Sequence, residues 1–500
     1  MSWLLTIPLV LPFLTAVAAF LTRESDWGRK VSVIGNVVFL GAAVLLFSHV
    51  YDKGVIAGQM GGWPAPFGIT LVADYLSAVM VVITAITALA VSVYALSDIN
   101  TRKEYLGYHA LFNILIGGVT GAFITGDLFN LYVWFEVMLI SSFGLLVLGG
   151  SKAQIDGGVK YVTINLVSTI LFLSGVGLLY GMTGTLNLAD LALTVPALEN
   201  QGLVTVVAMM FMVAFGVKAA VFPLFFWLPA SYHTPAFSVS AVFAGLLTKV
   251  GVYALIRMFT LVFDQDIGFT HTVLLWVAAL TMVTGVLGAA AQNDMRKILS
   301  FHIVSQIGYM IMGLALYTPL ALVGAVFYLV HHIVVKANLF LIAGVAERIA
   351  GSTDLGKIGG MYKTAPFLGI LFLIPAFSLA GFPPLSGFWA KYVLVAAALE
   401  DQAWIIAGVA LLVGLLTIYS MTKIWAEAFW KAHPEGTDPT LATLTAAERR
   451  NLLLPIGGMA VLTLIIGFFP QPFVSFAETA SMQLLDPSPY IETVLGEAAQ

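Results

Sequence analysis

Residues 203–227 read LVTVVAMMFMVAFGVKAAVFPLFFW, an apolar run of 25 residues with one charged residue, Lys218, and one proline, Pro223. About 20 consecutive apolar residues are enough for an α-helix to cross a lipid bilayer. A lysine inside such a run is costly, and a proline removes a backbone donor and interrupts the helix. The stretch therefore predicts a membrane-spanning helix that is broken beside a buried positive charge.

Similar apolar runs fill most of the 500-residue chain, which is 60% hydrophobic and 10% charged, with a mean hydropathy of +0.98. Soluble domains typically carry about 25% charged residues. The composition therefore predicts an all-α integral membrane protein, and runs of about 18 or more apolar residues predict about fourteen spanning helices. Their limits are 2–22, 30–50, 70–97, 107–124, 128–149, 159–181, 203–227, 236–263, 271–291, 297–315, 320–345, 366–398, 403–430 and 452–470.

The loops between these spans differ in charge on the two sides of the membrane. Fifteen basic residues fall on one side, and only Lys53 falls on the other. Because lysine and arginine favour the cytoplasmic side, both termini are predicted to face outward. The outer loops carry carboxylates, among them Asp127, Asp190 and Asp264, which are typical of solvated turns.

Several classes of function are excluded by what the sequence lacks. With no cysteine, the chain cannot hold a thiolate-bound iron–sulfur cluster, a disulfide or a c-type haem. The net charge of -4 argues against a nucleic-acid partner. No phosphate loop, nucleophile elbow or metal motif is present, so we expect no enzyme active site, no cofactor and no metal.

Five charged residues lie deep inside predicted spans: Glu136, Lys218, Lys249, Lys336 and Lys391. Each costs roughly 2.5 to 3.5 kcal/mol at a helix centre, so all five must be paired, hydrated or neutralised. Ion pairs that hold the bundle together are one explanation, but four lysines cannot all pair with one glutamate. Since burial makes a charged lysine costly, these side chains can load and release protons near neutral pH.

Two further basic residues lie nearer the span ends. Lys423 is close to the inner end of its helix, where a long side chain can reach the interface. Arg257 lies two turns outward of Lys249, and it is either such an interfacial residue or part of the polar path.

His331 and His332 precede Lys336 in YLVHHIVVKANLF, residues 328–340. His332 and Lys336 share a helix face at spacing i, i+4, and histidines titrate near pH 7. The cluster predicts a proton relay. A metal site is the alternative, but no third ligand is close in the sequence. Thr248, His302, Ser305 and Gln306 either continue a hydrated path or only pack through hydrogen bonds.

A second break follows at residues 381–391, GFPPLSGFWAK, five predicted helices after the first. This spacing predicts an inverted repeat of helices 4–8 and 9–13, with the broken helices 7 and 12 lining the transport pathway. The predicted division of the chain is 1–106 for helices 1–3, 107–263 and 264–430 for the two repeats, and 431–500 for a cytoplasmic loop, helix 14 and a short outer tail.

Five motifs occur in an order that resembles the antiporter-like proton-translocating family. They are GDLFNLYVWFEVMLISSFGLL, GVKAAVFPLFFWLPASYHTPAFSVSAVFAGLLTKVGVYALIR, SFHIVSQIGYM, HHIVVKANLFL and GFPPLSGFWAKY. The family contains membrane subunits of respiratory complex I and membrane hydrogenases, and large subunits of Mrp-type cation/proton antiporters. The stretch FEVMLISSFGLL, Lys391 and the end of the chain soon after helix 14 favour the Mrp-type branch.

The resemblance implies a subunit of a multisubunit Na+/H+ antiporter, a secondary transporter in a bacterial or archaeal cell membrane that works only with partner subunits. It also implies a pair of Glu136 with Lys218, coupled through Lys249 and the His331, His332 and Lys336 cluster to Lys391. A proton-pumping subunit of a complex I-type oxidoreductase or hydrogenase is the alternative, and a non-conducting scaffold is a third hypothesis. Co-purifying partners would distinguish the first two.

Overall fold

The computed structural model describes residues 3–434, 436 and 439–496. The predicted first span includes residue 2, and the predicted last segment includes residues 435, 437, 438 and 497–500, all of which lie outside the described residues. Helices and one short hairpin make up the first half: α1 (Trp3–Leu21), α2 (Trp27–Lys53), β1 (Ile56–Gln59), β2 (Thr70–Ala73), α3 (Tyr75–Asp98), α4 (Thr101–Tyr105), α5 (Tyr108–Ile124), α6 (Leu128–Val147), α7 (Lys152–Thr183), α8 (Leu188–Thr194), α9 (Gln201–Ala219), α10 (Trp227–Ser231), α11 (Phe237–Val242), a π-helical turn (Phe243–Leu247) and α12 (Thr248–Leu261).

The second half is also helical. It contains α13 (Ile267–Ala291), α14 (Met295–Leu316), α15 (Pro319–Ala350), α16 (Met361–Thr364), α17 (Pro366–Ala380), α18 (Ser386–Glu400), α19 (Trp404–Ile424), a second π-helical turn (Trp425–Trp430), α20 (Ala446–Phe468), α21 (Gln471–Leu485) and α22 (Ser488–Leu495).

Every one of the fourteen predicted spans coincides with helical structure. In the described part of the chain, twelve helices are long and apolar enough to cross a membrane. The remaining two predicted spans correspond to α5, which has 17 residues, and to the broken pair α17 and α18. The prediction of an all-α membrane protein is thereby confirmed.

The predicted start of the third span, at residue 70, is wrong. Thr70–Ala73 is a β-strand that pairs antiparallel with Ile56–Gln59, and α3 begins only at Tyr75. The Asp74 side chain starts this helix by accepting a hydrogen bond from the Ser77 backbone N–H at 2.9 Å. Hydropathy missed the boundary because a short apolar strand and the first turn of an apolar helix look alike in sequence.

Both predicted helix breaks are present, and they end the spans earlier than the predicted limits. Helix α9 ends at Ala219, where Ala220 adopts a left-handed conformation with φ 62°. Helix α17 ends at Ala380 before Gly381, which has φ 91°. The single spans predicted at 203–227 and 366–398 are therefore each divided by an irregular segment.

The last part of the chain is more ordered than the predicted outer tail. It contains two helices, α21 and α22, that the hydropathy pattern did not predict. Helix α21 packs against α3 and α15, and α22 packs against β1 and α8. Both helices are shorter than a membrane span, which is why the search for long apolar runs passed over them.

Two hydrogen bonds between elements in the first half recur in the second half, with donor and acceptor displaced by the same number of residues along the chain. In the first half, the Leu128 N–H donates to Leu186 O and the Leu188 N–H donates to Gly126 O. In the second half, the matching bonds run from the Met295 N–H to Thr353 O and from the Leu355 N–H to Asn293 O, and all four measure 2.8 to 2.9 Å. The limits of α7 and α15 differ by the same offset at both ends. The two segments therefore correspond residue by residue, which supports the predicted internal repeat.

The two helix breaks also correspond, but equivalent residues there are separated by slightly fewer positions in the sequence than in the segments above. The Val221 N–H donates to Gly216 O at 3.0 Å, and the Phe382 N–H donates to Phe377 O at 3.0 Å. Ala220 and Gly381, the left-handed residues, occupy the same place in each break. The related geometry arises although the sequences around the breaks share few residues.

Helix α15 lies at the centre of the bundle. It packs against α3, α11, α14, α17, α18, α20 and α21. The helical run from α11 through α12 is buried along its whole length. These two elements carry Lys249 and Lys336, two of the five charged residues that the sequence places deep inside the membrane.

Candidate functional site

Lys218 lies in the last turn of α9, immediately before the first break. Its ammonium nitrogen is 5.6 Å from the centroid of the Phe135 ring. The side chain lines a cavity of about 20 Å³ together with Tyr161, Asn165, Trp227 and Leu247. The lysine is therefore buried but faces a small internal space.

Glu136 lies in α6, next to this lysine. The Thr169 hydroxyl of α7 donates a hydrogen bond to its carboxylate at 2.7 Å. Among the described residues Glu136 and Lys218 form no direct ion pair, but their charges interact across the space between them. The two residues that the family resemblance pairs are thus close enough for their charges to interact but do not touch, and the carboxylate is held by Thr169.

Lys249 follows the π-helical turn by two residues and is fully buried. Its amine donates hydrogen bonds to the Ala244 carbonyl at 2.5 Å and to the Thr248 hydroxyl at 3.2 Å. A π-helical turn loosens the regular helix and is frequent at functional sites. The Lys249 ammonium thereby finds oxygen ligands within its own helix, and Thr248 is one of them.

Lys336 and the two histidines lie on α15 and are fully buried. Among the described residues, their buried polar atoms without a hydrogen-bond partner are the Lys336 amine, both ring nitrogens of His332 and Nε2 of His331. Both polar atoms of the nearby Asn338, which sequence reasoning did not select, also lack one. Buried polar groups are normally satisfied by protein or by water, so this stretch of α15 is unusual in the number of polar atoms that the described residues leave without a partner.

The charges of α12, α14 and α15 form one interacting group. Lys336 interacts electrostatically with Lys249, and His332 interacts with both lysines. His302 of α14 interacts with Lys336 and with Lys391. The structure thus brings together residues that are widely separated in the sequence.

A hydrogen-bonded chain on α14 and α15 links His302 toward His331. The Ser305 hydroxyl lies 3.4 Å from His302 Nδ1 and accepts a hydrogen bond from the Gln306 amide at 2.9 Å. The Tyr328 hydroxyl donates to Gln306 Oε1 at 2.5 Å, and its ring packs edge-on against His331. Tyr328 was not predicted, because an aromatic residue in a span gives no sign in sequence of what it contacts.

His331 reaches the second break directly. Its Nδ1 atom is 2.8 Å from the Ser386 hydroxyl, which is 2.9 Å from the Ser378 hydroxyl across the break. A Cβ atom on Gly387 would lie 2.8 Å from His331 Nε2 and would overlap the Ser378 carbonyl oxygen. Only glycine fits here, so the backbone of the break approaches the histidine closely.

Lys391 lies on α18, after the second break, but its amine reaches back across it. It donates hydrogen bonds to the carbonyls of Leu379 at 2.9 Å and Ala380 at 3.1 Å. These are the last residues of α17, where helix carbonyls lack partners and the helix dipole favours a positive charge. The ammonium also lies 5.0 Å from the Tyr309 ring centroid.

The remaining two basic residues lie apart from this group. The Arg257 guanidinium is buried and forms a 2.6 Å ion pair with Asp74, a residue that sequence reasoning did not select. Lys423 donates hydrogen bonds to the carbonyls of Ala290 and Gln292 at the end of α13. No cluster of histidine and carboxylate side chains in the described part of the chain could hold a metal ion.

Comparison with known proteins gives consistent matches. Residues 125–417 match the family described as NADH:quinone oxidoreductase/Mrp antiporter, TM. The chain is 47% identical to the D subunit of the Na(+)/H(+) antiporter of Alkalihalophilus pseudofirmus, over 99% of this chain and 100% of that protein.

Solved structures agree with these matches. A chain of the Mrp complex from Dietzia sp. DQ12-45-1b has a TM-score of 0.91 and 35% identity, covering 99% of this chain and 100% of that one. A chain of the membrane-bound sulfane sulfur reductase, an archaeal respiratory membrane complex, has a TM-score of 0.91 and 25% identity. The match covers 98% of this chain and 99% of that one.

Proposed function

Because the chain belongs to the NADH:quinone oxidoreductase/Mrp antiporter family, we propose that it is the D-type subunit of a multisubunit antiporter that exchanges Na+ for protons. It is a multi-pass protein of the cell membrane and a secondary transporter subunit. It is embedded in the lipid bilayer, and its partners are the other subunits of the complex. Its substrates are protons and a monovalent cation. The proton-motive force drives the exchange.

The chain's own contribution is a proton path through the middle of the membrane. We assign to it Glu136, Lys218, Lys249, His331, His332, Lys336 and Lys391. The observation that carries this assignment is the group of buried polar atoms on α15 that lack protein partners while lying among three lysines. A structural ion-pair network would pair such cations with carboxylates, and within the described residues none of the lysines Lys249, Lys336 and Lys391 is so paired.

The first step of the mechanism depends on Glu136 and Lys218. The glutamate charge stabilises the protonated lysine across the space between them. When a partner subunit or a moving cation draws Glu136 away, Lys218 loses this stabilisation and releases its proton toward Lys249. Leu247, which lines the Lys218 cavity, lies two residues before Lys249 on the same helical run.

The later steps pass along α15. His332 lies within electrostatic reach of Lys249 and Lys336. In the proposed path it relays a proton from one to the other. His331 and His302 both interact with Lys391. The proton therefore moves between neighbouring bases, and repulsion between like charges prevents the simultaneous protonation of all of them.

We propose that the segments 107–263 and 264–430 act as two related halves of this path, flanked by helices 1–3 and by the segment 431–500. Thr248, Arg257, His302 and Ser305 are proposed as accessory polar groups. The alternative assignment, a proton-pumping subunit of a redox complex, is supported by a match of 25% identity, against 47% for the antiporter subunit. Purification of the complex distinguishes them, since small hydrophobic subunits indicate an antiporter and iron–sulfur proteins indicate a redox complex.

The proposal is tested by removing the first pair. Lys218→Ala and Glu136→Ala should each abolish Na+-dependent proton movement in vesicles, measured with a pH-sensitive dye, while the complex still assembles. Lys423→Ala is the matched control, because this lysine binds carbonyls at the end of α13, away from the path. Normal antiport in the Lys218→Ala protein would refute the proposed path.

A further inference from the structure

A buried ion pair lies between the central lysines and one end of the bundle. The Arg257 guanidinium pairs with Asp74 at 2.6 Å, and both side chains are at most 6% exposed. Asp74 is held in addition by the Ser77 backbone N–H and hydroxyl, at 2.9 and 2.8 Å. Removing one partner of such a pair leaves an uncompensated buried charge, so the two residues form a unit.

This ion pair and Lys249 lie along one face of α12. Lys249, Tyr253 and Arg257 follow each other at intervals of four residues, which places them on a single stripe of the helix. The Tyr253 hydroxyl accepts a hydrogen bond from Arg257 at 3.3 Å and donates one to the Phe123 carbonyl at 2.7 Å. Polar groups thus continue from the middle of the membrane to the ion pair.

The C-terminal helix covers the outer side of the pair. The Tyr490 ring centroid of α22 lies 5.4 Å from the Arg257 guanidinium carbon, the same distance as the Tyr253 ring centroid. Tyr490 is 5% exposed, and its hydroxyl lies 3.2 Å from the position that a Cβ atom on Gly126 would take. The next residue, Asp127, is a half-buried carboxylate at the start of α6. Asp127 lies in a loop that the charge distribution assigns to the outside.

We infer that Arg257, Asp74 and Tyr490 form a closed gate between Lys249 and the outer surface, with the C-terminal helix α22 as its cover. This inference rests on the proposed function. A fixed guanidinium in a narrow passage repels protons and other cations, as positive groups do in selective membrane pores. Asp74 neutralises the guanidinium enough for it to remain buried, while its own carboxylate is occupied and cannot accept a proton from Lys249.

Opening of the gate requires Arg257 to move off Asp74. The freed carboxylate can then replace the guanidinium as partner of the Tyr253 hydroxyl. It takes the proton of that hydroxyl as the hydroxyl takes the proton that leaves the Lys249 ammonium, which gives a neutral amine, an unchanged tyrosine and a neutral acid. Release of this proton from Asp74 toward Asp127 and re-formation of the ion pair close the gate again. The ring of Tyr490 holds the closed state, since a guanidinium close to an aromatic ring is stabilised by cation–π attraction.

The test measures proton leak in the intact complex, reconstituted in phospholipid vesicles without Na+ and driven by a potassium diffusion potential. Tyr490→Ala should raise the leak about tenfold, because it removes one desolvated cation–π contact from the closed state. Tyr490→Phe keeps the ring and should restore the low leak. Tyr180→Ala, an exposed tyrosine at the same end of the bundle, is the matched control.

An unchanged leak in Tyr490→Ala would overturn the gate. Adding Asp74→Asn to Tyr490→Ala retains an acceptor for Ser77 but removes the carboxylate that carries the proton, so the leak should fall back to the level of the unchanged complex. A leak in this double variant as large as in Tyr490→Ala would count equally against the inference. The proposed function fails on a different result, the retention of antiport by Lys218→Ala. Because the leak is measured without Na+, the two outcomes are independent.

Discussion

In the first repeat the Glu136 carboxylate accepts a hydrogen bond from Thr169, whereas the residues at the equivalent places in the second repeat are Ile303 and Lys336. The backbone contacts at both ends of these segments are the same, so the residues between them correspond. Asn165 corresponds to His332 in the same way. The same set of backbone positions therefore carries a glutamate with polar neighbours in the first half, and a lysine and a histidine without a carboxylate in the second half.

The lysines of the two broken helices extend this comparison. Lys218 lies before its break, and the corresponding residue in the second half is Leu379. The Lys391 amine, which comes from the helix after the break, binds the carbonyl of this same Leu379. Both breaks thus hold a positive charge at the end of the first helical segment, although the lysine enters from opposite sides.

A lysine therefore belongs to the end of the first helical segment in both halves, although its origin in the sequence differs. An ammonium at a helix C-terminus gains from the partial negative charge there, whichever segment supplies it. In the first half a carboxylate acts on the lysine as well, and in the second half a histidine cluster takes that place. The first half is therefore suited to responding to a moving charge and the second to passing protons on.

The largest expected effect comes from moving the second lysine across its break. Lys391→Ala should abolish antiport, because the α17 carbonyls lose their ammonium and the path loses its last base. Adding Leu379→Lys to this variant places a lysine where Lys218 lies in the first half and should restore part of the activity. Both are measured as Na+-dependent proton movement in vesicles.

The control for this experiment is Lys160→Ala, since Lys160 is an exposed lysine paired with Asp156. Complex assembly is checked by purification of each variant. If Leu379→Lys restores nothing in a well-assembled complex, then the two breaks are not equivalent in function.

A smaller effect is expected from the hydrogen bond that is present only in the first half. Thr169→Val keeps the shape of the side chain and removes the hydroxyl that binds Glu136. A hydrogen bond to a charged group is lost, which should reduce antiport about tenfold. Thr163→Val, on the exposed face of the same helix, is the control. Equal activity of the two variants would show that Thr169 does not position the carboxylate.

The smallest effect is expected in the second half at Tyr328. Tyr328→Phe removes the hydroxyl that donates to Gln306 but keeps the ring stacked on Tyr309 at 5.2 Å. Loss of one neutral hydrogen bond should slow antiport about threefold to fivefold. Tyr392→Phe, an exposed tyrosine of α18, should have no effect on the same assay. A loss as large as that of Thr169→Val would mean that the Tyr328 hydroxyl is itself part of the path.

Hydropathy and charge predicted the spans and the buried lysines because both depend on single residues and their immediate neighbours. The hairpin before α3, the two C-terminal helices and the limits of the breaks were missed or misplaced, since they depend on short segments that hydropathy does not resolve. Asp74 and Asn338 were also missed. Asp74 lies at the start of a span, and only the folded bundle brings it into contact with Arg257. Asn338 is recognisable as part of the polar group only from the other buried polar atoms without partners on the same helix.

The π-helical turn at Phe243–Leu247 has a consequence for how this protein tolerates insertion and deletion. Such a turn contains one residue more than an α-helical turn of the same height. Deleting a single residue here would leave hydropathy, charge and span length almost unchanged, yet it would rotate Lys249 by about 100° relative to the start of α11. The helix start is fixed by the Asp98 carboxylate, which accepts hydrogen bonds from the Ser238 backbone N–H and hydroxyl at 2.9 and 2.7 Å. Deletion of one amino acid after Ala244 would thus misdirect the lysine without removing Ala244 or Thr248, the residues that bind it.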